Sequence, residues 1–199
     1  MRKAKFLLAI GFTLPLFLWA QSPRNPPATS EPGLPVVDVN ACPFEGCSFR
    51  KWPVRKDTAF FSSWKNDRKQ VGSLKKGQIV TGLTGVHITF EPDRIKILRP
   101  ITDLDLKPGD TLLRYMYQGE GFADIWAKGE WHKAYDCSFL QEKDGSGCTR
   151  NCSAVVESDG RKEWWVQIRT QQGAEGWTKV VDQFDCMDSL GGDEKCDKL

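Results

Sequence analysis

The sequence predicts an all-β fold built from short antiparallel strands. β-Branched and aromatic residues recur in short runs between turns that contain glycine. Several of these runs alternate apolar and polar residues, as a strand with one buried face does. No convincing amphipathic helix is found after Ala41, so the repeated unit is expected to be a small β-structure.

The first 20 residues predict a secretory signal peptide. Arg2, Lys3 and Lys5 precede an apolar run that ends at the small residue Ala20. This run has the layout of a signal peptide and not of a full membrane span. No lipid-attachment cysteine follows Ala20, so we expect a periplasmic or extracellular (secreted) protein with no transmembrane segment in the mature chain.

Removal of the signal peptide changes the charge balance. The chain has 28 Lys and Arg against 26 Asp and Glu, and loss of the three signal cations leaves 25 against 26, a net charge of −1. A nearly neutral protein lacks the basic surface that attracts nucleic acid, so no nucleic-acid partner is expected. Residues 186–199 are predicted to form a solvated acidic tail.

The segment between the signal peptide and the folded body is rich in proline. Residues 21–40 contain five prolines and little apolar periodicity. Such a composition favours extended, polyproline-like chain, so this segment is predicted to be a semi-rigid linker.

Alternation predicts which side chains of the strands are buried. Val86, Ile88 and Phe90 are expected to point inward, with His87 and Thr89 outward.

Further along the chain, Ile95 and Ile97 alternate with Arg94 and Lys96 in the same way.

Two glycine-containing stretches predict hairpins. Residues 111–117 and 122–126 flank the first, Gln-Gly-Glu-Gly. Residues 155–156 and 164–168 flank the second, which contains Asp159-Gly160.

A weak internal repeat suggests two related units. Residues 74–80, LKKGQIV, resemble residues 106–112, LKPGDTL, which begin 32 residues later. Both have a glycine turn just before a predicted strand. Because this spacing is too short for a complete barrel, we expect the copies to mark corresponding strands of two β-units, residues 41–100 and 101–185.

Seven cysteines in the exported part predict disulfides, because oxidising compartments favour them. A local bridge is expected within CPFEGC, residues 42–47, and another is expected to close the acidic tail. Cys137 is predicted to pair with Cys148 or Cys152; zinc at the latter two is the alternative, but the usual CxxC pairs are absent, so no metal is expected. The predicted disulfide cysteines are Cys42, Cys47, Cys137, Cys148, Cys152, Cys186 and Cys196.

Two stretches resemble the bacterial SH3-like domain family. Residues 71–80, VGSLKKGQIV, preceded by residues 54–61, are similar to the opening half of such a domain. Residues 165–169, WVQIR, followed by residues 173–177, GAEGW, are similar to its closing half. More chain separates the two halves than one small barrel needs.

The start of the folded body carries the same resemblance. Residues 42–47 with Trp52 resemble exported bacterial proteins of unknown function that contain SH3-like segments. The resemblance implies two small SH3-like barrels that act as a non-catalytic binding module. It also implies a partner in the cell envelope, either a cell-wall polymer or an envelope protein.

The residues themselves offer little for catalysis. A thiol nucleophile needs a histidine base, and neither His87 nor His132 has a helical cysteine to activate. Glu120 and Glu130 lie beside glycine turns with Asp124 between them, but solvated turns commonly have this composition. We therefore expect no catalytic residue and no cofactor.

Aromatic side chains are the best candidates for ligand contact, because they stack on sugar or proline rings. If Trp164 points inward, Trp165 lies on the opposite face with Gln167 and Arg169. There it is either exposed, or covered by the other unit or by the Cys137 to Cys152 loop. The predicted ligand-binding residues are Trp165, Tyr117, Trp126 and Trp131.

Two binding functions remain open. The first is recognition of peptidoglycan or another envelope component through these aromatics. The alternative is inhibition of a secreted hydrolase by loops that disulfides hold in place.

Overall fold

The computed structural model describes residues 31–191 and 194–197, and this part of the chain is all-β, as predicted. The predicted signal peptide lies outside the described residues. A 3-10 turn (Thr102–Leu104) and one helical turn, α1 (Glu194–Asp197), accompany the strands. In chain order the strands are β1 (Val36–Val39), β2 (Lys51–Pro53), β3 (Thr58–Phe61), β4 (Gln70–Leu74), β5 (Ile79–Glu91), β6 (Asp93–Ile97), β7 (Thr111–Gly119), β8 (Phe122–Ala127), β9 (Glu130–Asp136), β10 (Leu140–Gln141), β11 (Ala154–Ser158), β12 (Arg161–Thr170) and β13 (Glu175–Lys179).

The strands form two sheets. The first has the order β1-β5-β12-β13-β3-β4, and β2 also pairs with β5. The second has the order β10-β11-β6-β7-β8-β9. All strand pairs are antiparallel except β10 with β11.

Both sheets contain the same series of neighbours: a segment that returns from later in the chain, followed by four successive antiparallel strands. In the second sheet, β11 returns to pair with β6, and β7, β8 and β9 follow. In the first sheet, a returning segment bridges at Phe184 to Val54 and at Asp188 to Cys47, on either side of β2. Strands β5, β12 and β13 then follow in turn. The whole second sheet is therefore inserted between β5 and β12 of the first.

The internal repeat seen in the sequence forms two matching turns. Gly77 and Gly109 have φ of +89° and +93°, which glycine adopts without steric cost. The Gly77 N–H donates to the Val54 carbonyl over 2.8 Å, and the Gly109 N–H donates to the Ile97 carbonyl over 2.9 Å. Each turn leads directly into the second strand of the repeated order, β5 or β7.

The boundary between the sheets differs from the predicted division at residue 100. Strand β6 precedes that residue but belongs to the second sheet. The two stretches that resemble opening and closing halves of one domain both lie in the first sheet, and the insertion of residues 93–158 accounts for their separation. The predicted linker also contains a strand, β1, which pairs with β5.

Each sheet curls around its own apolar core. Trp52, fully buried, packs in the first core with Val166 and Ile168. Ile95, Ile125 and neighbouring side chains fill the second. The predicted alternation in β6 is confirmed, because Ile95 and Ile97 are buried while the intervening basic residues are exposed.

The predicted outward orientation of His87 and Thr89 is wrong, because both side chains are buried. Strand β5 is covered on both faces: Val86 and Ile88 pack beneath Trp165 on one face, and the second sheet lies against the other. There the Thr89 hydroxyl donates to the Tyr115 carbonyl over 3.0 Å.

One predicted hairpin is confirmed and the other is wrong. Strands β7 and β8 pair as expected. The Asp159-Gly160 turn instead crosses between sheets, since β11 pairs with β6 and β12 pairs with β5. Glycine is required there because a Cβ on Gly160 would lie 2.0 Å from the Glu91 carbonyl oxygen.

Three disulfides link cysteines that are close in sequence: Cys42 to Cys47, Cys148 to Cys152, and Cys186 to Cys196. The predicted pairing of Cys137 is wrong. Its thiol is free and packs in the core of the second sheet beside Leu140. Cys148 and Cys152 pair with each other and leave it no partner. Disulfides form in oxidising compartments, which fits an extracytoplasmic protein.

Candidate binding site at the junction of the two sheets

A groove of about 730 Å³ opens between the Cys42–Cys47 loop and the β7–β8 hairpin. We call it the junction groove, because one wall comes from the first sheet's entry loop and the other from the second sheet. Its lining includes three large apolar side chains and three polar ones, besides Ala134, the Cys42–Cys47 disulfide and two glycines. The apolar ones are Phe44, Phe122 and Leu190, and the polar ones are Glu45, Gln118 and Glu120.

The disulfide loop forms a fixed wall of the junction groove. The Cys47 N–H donates to the Phe44 carbonyl over 3.1 Å, closing the turn that the disulfide spans. The Phe44 ring meets Trp164 of the first sheet edge to face, with centroids 5.8 Å apart. Gly46, with φ +75°, lies against Asp188, so the returning segment packs on the back of the loop.

The hairpin forms the opposite wall. Glu120 and Gly121 have φ of +51° and +82°, the type I′ geometry that suits a two-residue hairpin. The Tyr117 hydroxyl oxygen accepts a hydrogen bond from the Gly121 N–H over 3.0 Å. This tight turn presents Phe122, which is 38% exposed.

The charge of the junction groove is negative. Glu45 and Glu120 are both exposed on its rim, and none of the residues that line it is basic. No ion pair or hydrogen bond engages either carboxylate in the described part of the chain. An apolar floor with free carboxylates suits neutral or cationic ligands better than anionic ones.

A second aromatic surface lies on the second sheet, and we call it the Trp131 cluster. The Trp131 ring, 37% exposed, lies 4.6 Å from the Tyr115 ring and 5.9 Å from the Trp126 ring. The Lys133 Nζ atom is 5.9 Å from the Trp131 ring centre. Lys133 lines a neighbouring cavity that shares Gln118 with the junction groove.

Between the two sheets, four charged side chains form a partly buried ionic cluster. Asp93 Oδ2 accepts from Arg114 Nε over 2.7 Å and from Lys162 Nζ over 2.5 Å. The Arg114 guanidinium also binds the Glu142 carboxylate through both terminal nitrogens. The Gly160 N–H donates to Asp93 Oδ1 over 2.8 Å.

The ionic cluster shifts the pKa values of its members. Burial raises the pKa of Asp93, but the Lys162 charge, the hydrogen bonds and the Arg114 charge outweigh it, so the pKa of Asp93 is lowered. Burial opposes charge on Arg114 as well, yet hydrogen bonding to Glu142 and Asp93 raises its pKa. For Lys162, burial prevails and lowers its pKa. Because these charges already satisfy one another, the cluster is suited to holding the sheets together.

One buried polar contact near the ionic cluster is incomplete. His87 Nδ1 lies 3.9 Å from Asp38 Oδ2, beyond hydrogen-bond distance. Neither atom has a hydrogen-bond partner. Asp38 and His87 are register partners on the paired strands β1 and β5, so the two side chains face each other within the first sheet.

The four predicted ligand-binding residues lie in three places. Trp126 and Trp131 belong to the Trp131 cluster, and Tyr117 supports the hairpin of the junction groove. Of the two alternatives for Trp165, exposed or covered, the structure shows the covered one, because the side chain is 3% exposed. The Trp165 side chain lies on the face opposite Trp164, as expected. Three residues of the β3–β4 hairpin cover it: Phe61, Trp64 and Arg68.

None of the residues that line the junction groove was in the predicted binding set. Three of them illustrate the reason: Phe44, Glu45 and Phe122. Phe44 and Glu45 lie inside the predicted disulfide loop, and Phe122 follows a predicted hairpin turn. Each of these three residues therefore lies in or next to a local motif that the sequence does predict. The sequence carried no indication that the two motifs meet.

The described residues offer no group of three or more His, Cys, Asp or Glu side chains that could hold a metal ion. Burial raises the pKa of the Cys137 thiol to about 11, so this thiol is protonated at neutral pH and is a poor nucleophile.

Comparison with known proteins found no matching family model, no matching curated protein and no matching solved structure. Within residues 31–191 and 194–197, no helix has the length and hydropathy required to cross a membrane.

Proposed function

We propose that this protein is an exported binding module that recognises a component of the cell envelope, such as peptidoglycan or an envelope protein. The junction groove holds the ligand, and the Trp131 cluster extends the contact surface. In this proposal the protein is non-catalytic, and it acts in the periplasm or outside the cell.

The observation that carries the proposal is the exposed aromatic lining of the junction groove. Phe122 is held by a tight hairpin and faces a disulfide-bonded loop, so the groove is preformed. A preformed site loses little conformational entropy when a ligand binds. Partly apolar clefts with a few polar groups are the usual form of ligand sites.

The repeated strand order supports assigning both sheets to the SH3-like class. The stretches that resemble an opening and a closing half belong to one sheet, with the second unit inserted between them. This arrangement leaves the junction between the two units as the surface that neither unit has alone.

The test is capture of envelope material by the purified mature protein and by two variants. Phe122→Ala removes the exposed aromatic of the groove, and Leu98→Ala removes a comparably exposed apolar side chain, 45% exposed, outside the groove lining. Co-sedimentation with purified cell wall and pull-down from solubilised envelope proteins are measured in parallel.

We expect wild type and Leu98→Ala to retain one of the two fractions, and Phe122→Ala to bind it about tenfold more weakly, as loss of an aromatic anchor does. Equal retention by all three proteins, or retention of neither fraction by wild type, would contradict the proposal. Thermal unfolding of the variants verifies that each is folded.

A further inference from the structure

The two exposed carboxylates of the junction groove differ from those of Asp93 and Glu163, which are paired with cations. The Asp93 carboxylate is neutralised by Lys162 and Arg114, and Glu163 by Lys179. Glu45 and Glu120 have no such partner among the described residues, although both line the junction groove, Glu45 next to the half-buried Phe44 and Glu120 near the exposed Phe122.

From this charge pattern we infer that the junction groove selects a peptide segment with a Lys or Arg side chain next to an apolar side chain. The inference rests on the proposed function and names the ligand class of the same site. The apolar side chain packs between Phe44 and Phe122, and the cation lies against the Glu45 or Glu120 carboxylate.

The geometry favours a cationic ligand for two reasons. The groove contributes no basic residue, so an anionic ligand meets only repulsion from its two carboxylates. The carboxylates sit on the exposed rim, on opposite walls, so they can pair with a ligand cation without first breaking an internal ion pair. An exposed ion pair contributes modestly, and the apolar floor supplies the remaining attraction.

The test uses three capped tripeptides that differ only in charge: acetyl-Lys-Phe-Lys-amide and its counterparts with Gln or Glu in place of Lys. Their binding to the mature protein is measured by chemical-shift titration. The double variant Glu45→Gln/Glu120→Gln removes both groove carboxylates. Glu157→Gln removes an exposed carboxylate of β11 outside the groove lining and serves as the matched control.

We expect wild type and Glu157→Gln to bind the Lys peptide about fivefold or more tightly than the Gln peptide, and the Glu peptide least. The double variant should bind the Lys and Gln peptides equally. The preference for Lys should decrease with added salt.

Failure of the Lys peptide to bind wild type overturns the inference. So does equal binding of the Lys and Gln peptides, or a Lys preference that persists in the double variant. These results differ from failure of the proposed function, which is measured separately as loss of envelope capture in Phe122→Ala. If envelope capture depends on Phe122 but the protein shows no preference for Lys, the junction groove remains the binding site and only the proposed ligand class is wrong. The ligand would then be a cell-wall polymer.

Discussion

Asp93 Oδ2 accepts a hydrogen bond from Arg114 Nε over 2.7 Å, which joins the first two strands of the inserted sheet. The same carboxylate binds Lys162 and the Gly160 N–H, both of which belong to the segment where the chain re-enters the first sheet. One buried side chain therefore fixes both ends of the insertion.

Asp93→Asn should strongly destabilise the protein. The amide retains the shape of the side chain but leaves Lys162 without its carboxylate partner and Arg114 with Glu142 alone. Removing one member of a buried ion cluster costs about 3–5 kcal/mol. Urea unfolding of wild type and variant measures the change. Glu157→Gln, an exposed control, should leave the midpoint unchanged; an equally stable Asp93→Asn protein would show that the cluster does not hold the sheets together.

The stabilisation by Asp93 should disappear in acid. The pKa of its carboxyl is lowered in the folded chain, whereas an unfolded Asp titrates near about 3.9. The contribution is therefore complete above that pH and is lost as the pH falls through the lower folded-state pKa. Unfolding experiments over a pH series should show the stability gap between wild type and Asp93→Asn shrinking below about pH 4; a gap that stays constant there contradicts the assignment.

Mass spectrometry should find one free thiol and three local disulfides in the purified protein. Cys137 is 7% exposed, and its raised pKa keeps it protonated, so iodoacetamide should label it only after denaturation. Peptide mapping of the unreduced protein should recover Cys42–Cys47, Cys148–Cys152 and Cys186–Cys196 links. A disulfide that includes Cys137 would contradict the structure.

Trp165→Ala should destabilise folding and not act mainly on binding. The ring is buried, and the Arg68 guanidinium stacks 4.5 Å from its centre. Truncation of a buried tryptophan costs about 3–5 kcal/mol. Trp131→Ala, which removes a ring that is 37% exposed, should cost less in the same denaturation experiment. If Trp131→Ala proved more destabilising than Trp165→Ala, the burial of Trp165 would be contradicted.

Local patterns predicted much of the fold. The alternation in β6, the β7–β8 hairpin and the two matching glycine turns all depend on neighbours within a few residues. The Asp159-Gly160 turn was misassigned because a turn signal does not specify which strands it connects. The exposure of His87 and Thr89 was predicted wrongly because an alternating pattern assumes that one face of the strand is solvated. Residues 85–89 of β5 are buried on both faces.

The candidate site was less predictable than the fold. The Cys42–Cys47 disulfide was predicted correctly from its spacing, but none of the four predicted ligand-binding residues lines the junction groove. The junction groove, however, depends on contact between segments about 75 residues apart, 44–45 and 118–122. That contact follows from the insertion of one sheet into the other, which no local signal specifies.

Site-specific photocrosslinking tests most directly whether the junction groove binds a partner. Phe122→p-benzoylphenylalanine places the reactive group in the groove, and Leu98→p-benzoylphenylalanine places it on an exposed site outside the lining. After irradiation of cells that export each variant, we expect a discrete crosslinked product from position 122 and none from position 98. No product at position 122, or the same product from both positions, would contradict the account.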